Sequence, residues 1–345
     1  MTGSTPEGGP ARLHLNESPL APPDYVVEAV AEAARTLNLY PDEARSGLIE
    51  ALAAYAGAPA DRLMLNGGSS ELLYMLPHIA GAQAGQEMVL PQPTFPVFAI
   101  VARMHGLTVR GVPVDAAGAA DVDAILAAIT PDTALVCVPT PNNPTGGVLD
   151  AAALSALCRA MPPHVLFHLD EAYYEFGRAA GGPETLPMLA EVRGPWVSSR
   201  SASKAFGLAG LRLGYAIFSD TALRDRARAN RQAFSVNRLA LAAGRAAVAH
   251  ADDALARVDA FTAERQRIAA ALGALGLAPL PSGANFLAFP AAPLGADPVD
   301  ALTARGLLTI GFAMPEGRAM IRASLGTRQD NDALLAALAD LLAAQ

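Results

Sequence analysis

The stretch Val165-Leu166-Phe167-His168-Leu169-Asp170-Glu171-Ala172-Tyr173 decides the fold of this 345-residue chain. A short run that stays mostly apolar instead of alternating reads as a strand covered on both faces, the condition of a parallel sheet. An acid follows at once, so the run delivers a carboxylate to the strand's end. Outward from it, similar runs stand at residues 62–65, 88–90, 107–112, 134–138, 196–199 and 215–218. Helix-length segments at 70–80, 96–105, 121–129 and 151–161 fall between most of them. The alternation predicts an α/β fold with a mainly parallel sheet covered by helices on both faces.

The flanks read differently. Residues 1 to about 12 are rich in Gly, Pro, Ser and Thr and read as a mobile tail. An Ala-rich helix follows Pro22-Pro23 and is expected to end near Leu39-Tyr40-Pro41, where the proline stops it. Beyond residue 232 come long Ala/Leu/Arg helices, a strand at 285–289, another near 320–323 and a last helix. This change of texture predicts a second, smaller domain.

Apolar residues make up 52% and charged residues 17%, enough for a sizeable core and too few charges for global disorder. A net charge of −8 argues against a nucleic-acid binder, which needs a basic face. Cys137 and Cys158 sit in apolar contexts and cannot make a zinc set by themselves, so buried free thiols in a reducing compartment are expected. No signal pattern opens the chain, and no apolar run approaches the roughly 20 residues that a bilayer needs. The protein is expected to be soluble and cytoplasmic, without membrane or nucleic-acid partners.

Four segments carry chemistry. Asn66-Gly67-Gly68-Ser69-Ser70-Glu71 lies between strand and helix, where glycines allow close approach and the helix N–H groups face an anion. A Ser-capped turn explains the same residues. Pro141-Asn142-Asn143-Pro144-Thr145-Gly146-Gly147 follows a strand, at the end of the sheet where open α/β folds bind ligands. Ordinary turn chemistry is the alternative there. Asp170 leaves its strand with the Tyr173 phenol three residues on; it either caps the next segment or faces a cation.

The fourth segment is Ser201-Ala202-Ser203-Lys204-Ala205-Phe206-Gly207-Leu208-Ala209-Gly210-Leu211-Arg212-Leu213-Gly214. Lys204 is the only lysine among 25 basic residues, the others being arginine. A solvated surface charge is served equally by arginine, but a group that must lose its proton and attack a carbonyl is not. His164 and His168 are four apart, a metal-pair spacing on a helix, but they fall on a strand and no metal site is assigned.

In this order the motifs resemble the fold-type I aminotransferases, which use pyridoxal 5′-phosphate, and among them the histidinol-phosphate aminotransferase-like branch. Leu15-Asn16-Glu17-Ser18-Pro19, Leu39-Tyr40-Pro41-Asp42, Pro93-Thr94-Phe95, Ala284-Asn285-Phe286-Leu287 and Ile321-Arg322-Ala323-Ser324-Leu325-Gly326 extend the match over nearly the whole chain. The resemblance implies a fold-type I transferase: a large domain over 39–232 with a mainly parallel seven-stranded sheet, and a small α+β domain over 233–345. An arm over 1–38 would add to the small domain.

It also implies roles. Lys204 is the Schiff-base lysine, and Asp170 pairs with the pyridinium nitrogen, keeping the ring an electron acceptor. Asn143 and Tyr173 hydrogen-bond the ring 3′-oxygen, and Phe95 stacks on the ring. Gly68, Ser69, Ser70, Ser201, Ser203 and Arg212 hold the cofactor phosphate, joined by Tyr40 from a neighbouring subunit, so a homodimer is expected. Arg322, with Asn143, binds the substrate, its planar fork clamping the α-carboxylate. The implied reaction moves an amino group from an amino acid or amino-alcohol phosphate to a 2-oxo acid such as 2-oxoglutarate. An aromatic amino acid aminotransferase and a decarboxylase of a phosphorylated amino acid remain alternatives.

Overall fold

The computed structural model describes residues 9–345. In chain order its strands are β1 Ala11–Arg12, β2 Leu63–Asn66, β3 Glu87–Gln92, β4 Thr108–Pro113, β5 Thr133–Pro139, β6 Leu166–Glu171, β7 Trp196–Ser201, β8 Gly214–Phe218, β9 Phe286–Pro290, β10 Leu307–Leu308, β11 Ile310–Ala313 and β12 Ala319–Ser324. Seven of them form one sheet in the order β2-β8-β7-β6-β5-β3-β4. Every pairing from β4 to β7 is parallel, and only β8 runs against its neighbours. The expected α/β sheet is present, with each of its strands within two residues of the run that announced it.

Strand geometry sends successive side chains to opposite faces. From β6, Phe167 and Leu169 join Val136 and Val138 of β5 in a core covered by helices Val122–Ala128 and Ala151–Ala160. Leu166 and Cys137 face the other side, under helices Ser69–Ala80 and Val97–Met104. Each fully buried Leu or Phe contributes roughly 1.5–3 kcal/mol. A covering on both faces is why these strands lack polar alternation. Helix Arg238–Ala249 lends Ala240, Leu241 and Ala243 to the first core, against Leu48 and Leu213.

A third core surrounds the antiparallel sheet β11-β12-β9, where Phe286, Phe289 and Ile321 pack on Val258 and Phe261 of helix Ala251–Ala274 and on Leu334 and Leu338 of helix Arg328–Ala343. β11 escaped the sequence reading because its Ile-Gly-Phe-Ala run is short and half-exposed.

Two expectations fail. The helix after Pro23 spans Asp24–Ala34 and stops well before Leu39. Thr36 turns the chain by bonding its hydroxyl back to the Ala33 carbonyl, so Pro41 does not set the end. The expected mobile tail is also too long. Ala11–Arg12 pairs in parallel with Leu307–Leu308, and residues 1–8 lie outside the described residues.

β5 and β4 lie on opposite sides of β3. The strand order therefore reverses at β3, and the loops beyond the carboxyl ends of β3 and β5 flank the crevice at that switch point.

Candidate active site

At that crevice lies a cavity of about 630 Å³. Its lining brings together Ser69, Ser70, Phe95, Asn143, Asp170, Tyr173, Ser201, Ser203, Lys204, Arg212 and Arg322, residues drawn from across the chain.

β6 ends by presenting Asp170, which is buried. Oδ1 accepts from the Ala172 N–H at 3.1 Å and from the Ser199 hydroxyl at 3.3 Å. Burial pushes the carboxyl up to about 6, with the neighbouring Glu171 charge adding to it. Asp170 has no cationic partner among the described residues.

Lys204 enters from the turn after β7. Its Nζ donates to the carbonyls of Asn16 at 2.8 Å and Leu15 at 3.2 Å. Burial brings the amine down to about 8, helped by the charges of Arg322 and Arg212 and opposed by Glu17. An amine so placed is neutral in a useful fraction near physiological pH.

At one end of the cavity the helix Ser69–Ala80 begins without a side-chain cap; the Glu71 N–H bonds back to the Gly68 carbonyl, and the N–H groups of Ser69 and Ser70 have no acceptor among the described residues. Gly68, at φ 82°, precedes it; a Cβ there would lie 2.4 Å from Arg212 Nη2. Only glycine lets the guanidinium close over the helix start. Gly214 is equally constrained, since its Cβ would fall 2.5 Å from the Ser69 nitrogen. Ser201 and Ser203 are buried beside it.

Opposite, Arg322 rises from β12, nine-tenths buried. Nη1 donates to Asn143 Oδ1, Nη2 to the His14 carbonyl, and buried Nε has no partner among the described residues. Burial lowers its pKa, and no carboxylate among the described residues pairs with it. Tyr173 is buried and accepts from Asn16 Nδ2 at 2.8 Å. Phe95, Ile310 and Phe312 supply apolar wall.

Tyr40 stands apart from the cavity. It is 77% exposed and stacks on the half-exposed Phe234 at 4.5 Å between ring centroids. Asn16 was quoted in a motif but given no role. Its left-handed backbone, φ 53°, suits an asparagine, and its buried polar groups bond Lys204, Tyr173 and Ser324.

Comparison with known proteins settles the family. The aminotransferase class I and II profile matches residues 11–338. The chain belongs to the class I and II aminotransferases. This aminotransferase is 36% identical to histidinol-phosphate aminotransferase 2 of Caulobacter vibrioides, over 95% of this chain and 85% of that protein. It is 38% identical to an aromatic amino acid aminotransferase of Rhodococcus jostii, over 95% and 89%. Its fold superposes on the histidinol-phosphate aminotransferase of Sinorhizobium meliloti, a structure containing pyridoxal 5′-phosphate, with a TM-score of 0.87 at 31% identity, covering 97% and 91% of the two chains.

Pyridoxal 5′-phosphate is the cofactor of the family, and this donor set fits it. A capless helix start, two hydroxyls and Arg212 suit a phosphate. Asp170, buried without a cation, suits a pyridinium, and the single lysine suits an aldehyde. The chain is a pyridoxal-phosphate-dependent transaminase.

Proposed function

We propose that this aminotransferase takes its amino group from a donor that pairs an anionic head with an imidazole or aromatic side chain, and passes it to 2-oxoglutarate. Histidinol phosphate leads, and aromatic amino acids come second. The observation that carries this reading is Lys204, the chain's only lysine, facing Asp170 and Arg322 across one cavity.

When bound, the cofactor supplies an electron sink for the donor's Cα. Lys204 would hold it, and its Nζ is the base that would take the Cα proton. Asp170 holds a proton on the ring nitrogen. Asn143 and Tyr173 would hydrogen-bond the ring 3′-oxygen, and Phe95 would cover one ring face. The N–H groups of Ser69 and Ser70, with Gly68 clearing the way, would bind the phosphate beside Ser201, Ser203 and Arg212. Arg322 grips the donor's carboxylate or phosphate with its planar fork, steadied by Asn143.

Arg212 belongs to the phosphate end, which leaves Arg322 to the donor. One fork serves a carboxylate as readily as a phosphate, and the walls of Phe95, Ile310 and Phe312 take an aromatic ring. That is the specific support for the second reading.

The active unit in this reading is a homodimer, with Tyr40 reaching the partner's phosphate site; its exposure beside Phe234 leaves it available for that role. Two buried free cysteines suit the cytoplasm. No helix among the described residues is long and apolar enough to cross a membrane.

The test is a donor screen with 2-oxoglutarate, comparing histidinol phosphate with phenylalanine, tyrosine and aliphatic amino acids. Glutamate formation with histidinol phosphate or an aromatic donor is expected. Release of CO₂ instead of a keto product would replace transamination with decarboxylation.

A further inference from the structure

Next to Asp170, strands β6 and β7 bring together two polar side chains with no role assigned so far. The register sets Asp170 opposite Ser199, and His168, two residues before Asp170, shares its face of the sheet. His168 is fully buried, with its ring 5.9 Å from that of Phe98. Its Nε2 lies 2.9 Å from Ser199 Oγ, and Ser199 Oγ lies 3.3 Å from Asp170 Oδ1. His168 Nδ1 has no partner among the described residues.

The direction of this chain follows from the unpartnered nitrogen. A buried N–H without an acceptor is rarer and costlier than a bare acceptor, so the ring proton sits on Nε2. Nε2–H then donates to Ser199 Oγ. The serine's single proton points to Asp170 Oδ1, its acceptor within reach. Oδ1 already takes the Ala172 N–H. Oδ2 accepts from no described residue, and Asp170 lines the cavity.

We propose that His168 and Ser199 are positioning residues for Asp170, a directed pair of hydrogen bonds that keeps the carboxylate anionic and leaves Oδ2 to accept a hydrogen bond from a protonated ring nitrogen of the cofactor. This rests on the reading of Asp170 as the ring-nitrogen partner. The opposite tautomer would turn Nε2 into the serine's acceptor, and Asp170 would lose a donor.

The pair has an opposing force to overcome. Burial and the Glu171 charge both favour a protonated Asp170, while the Ser199 hydroxyl and the Ala172 N–H hold it ionised. The other titratable groups near it, the Cys137 thiol from β5 and the Tyr173 phenol, are pushed up by burial and stay neutral. Burial takes His168 down to about 3, so it acts as a neutral donor and not as a cation.

The test starts from wild-type protein labelled with ¹⁵N in its histidine rings, the His168 signals being assigned by their loss in His168→Phe. A neutral Nε2–H tautomer with a bare Nδ1, with and without pyridoxal phosphate, is the expected result. An Nδ1–H tautomer or an imidazolium overturns the proposal. The second arm binds ring-¹⁵N pyridoxal phosphate to Ser199→Ala and Ser199→Thr. In Ser199→Ala the ring nitrogen should shift towards its unprotonated position and cofactor affinity should fall about tenfold, as for one lost hydrogen bond to a charge. Ser199→Thr should restore both. An unchanged shift and affinity in Ser199→Ala overturn the relay. Asp170→Asn separates the two layers: if it too leaves the ring nitrogen protonated, the reading of Asp170 itself has failed.

Discussion

Asn16 donates from Nδ2 to the Tyr173 hydroxyl across 2.8 Å. Its carbonyl accepts from Lys204 Nζ, and its backbone N–H and Oδ1 both meet the Ser324 hydroxyl. One asparagine thus ties the N-terminal arm to both the small sheet and the cofactor-side residues. Asn16→Ala strips two side-chain bonds from a buried network and adds a Cβ-bearing residue that favours φ 53° less than asparagine does. A loss of about 1–3 kcal/mol in urea unfolding is expected. Asn16→Gly, free of the backbone strain, should recover part of that loss but not the Tyr173 contact, and kcat should stay depressed in both. Wild-type stability in Asn16→Ala would show that the hub is dispensable.

Lys204 sets the second expectation. Lys204→Arg keeps a positive charge but cannot lose its proton or form the cofactor bond. It should lose the visible absorbance of bound cofactor and lower turnover by at least the roughly 10²–10⁴-fold attributed to a positioned base. Retained turnover would remove Lys204 from the mechanism.

The same amine gives a pH dependence. Cofactor attachment to the apo-protein needs neutral Nζ, so its rate should rise with pH and level off above about 8, where an ordinary lysine would still be gaining well past that point. Arg322 lowers this pKa by its charge. Arg322→Met should therefore move the midpoint up. Stability follows the same sign: the unfolded chain holds the Lys204 proton more tightly, so this group's contribution to stability rises with pH from about 8 towards the unfolded value. Stopped-flow absorbance across pH checks the midpoint directly.

Arg322 also predicts a split between substrates and steps. Arg322→Lys retains charge without the fork. The KM of an anionic donor should rise about ten- to hundredfold, the loss of one charge-assisted pair, with a smaller change in kcat. Initial-rate kinetics with a donor that turns over decide it, and an unchanged KM would move the anion elsewhere.

How much of this was legible in the sequence depended on which force fixes each residue. The inner sheet strands were readable because burial on both faces leaves a largely apolar run, as at Leu166–Glu171, whereas the edge strand β4 is mostly exposed and was marked by its Val109 and Val112. Lys204 was readable because a chain that uses arginine everywhere else needed one amine. β11 and the end of the helix Asp24–Ala34 were not, since a four-residue half-exposed strand and a threonine turn leave no periodic trace. Asn16 was hidden because its role comes from partners more than 150 positions away. Tyr40 could be placed only as an exposed ring, because its assigned role involves a second chain.

Arg200 and Glu171 make the last prediction. They face each other across β7 and β6, Nε to Oε2 at 3.3 Å, with both side chains almost wholly buried. Glu171 is further held by the hydroxyls of Thr185 and Ser198, and the Arg200 guanidinium lies 3.4 Å from the centre of the Tyr174 ring. Glu171 follows Asp170 directly, so the pair anchors the strand end that presents the carboxylate. Removing one partner strands the other charge in a dry interior, which costs about 3–5 kcal/mol, far more than the net worth of the pair. Arg200→Met and Glu171→Gln should each lower the urea midpoint accordingly, while the double variant should lose less than the sum of the two. Additive losses in that cycle would mean that the two side chains stabilise the strand end independently.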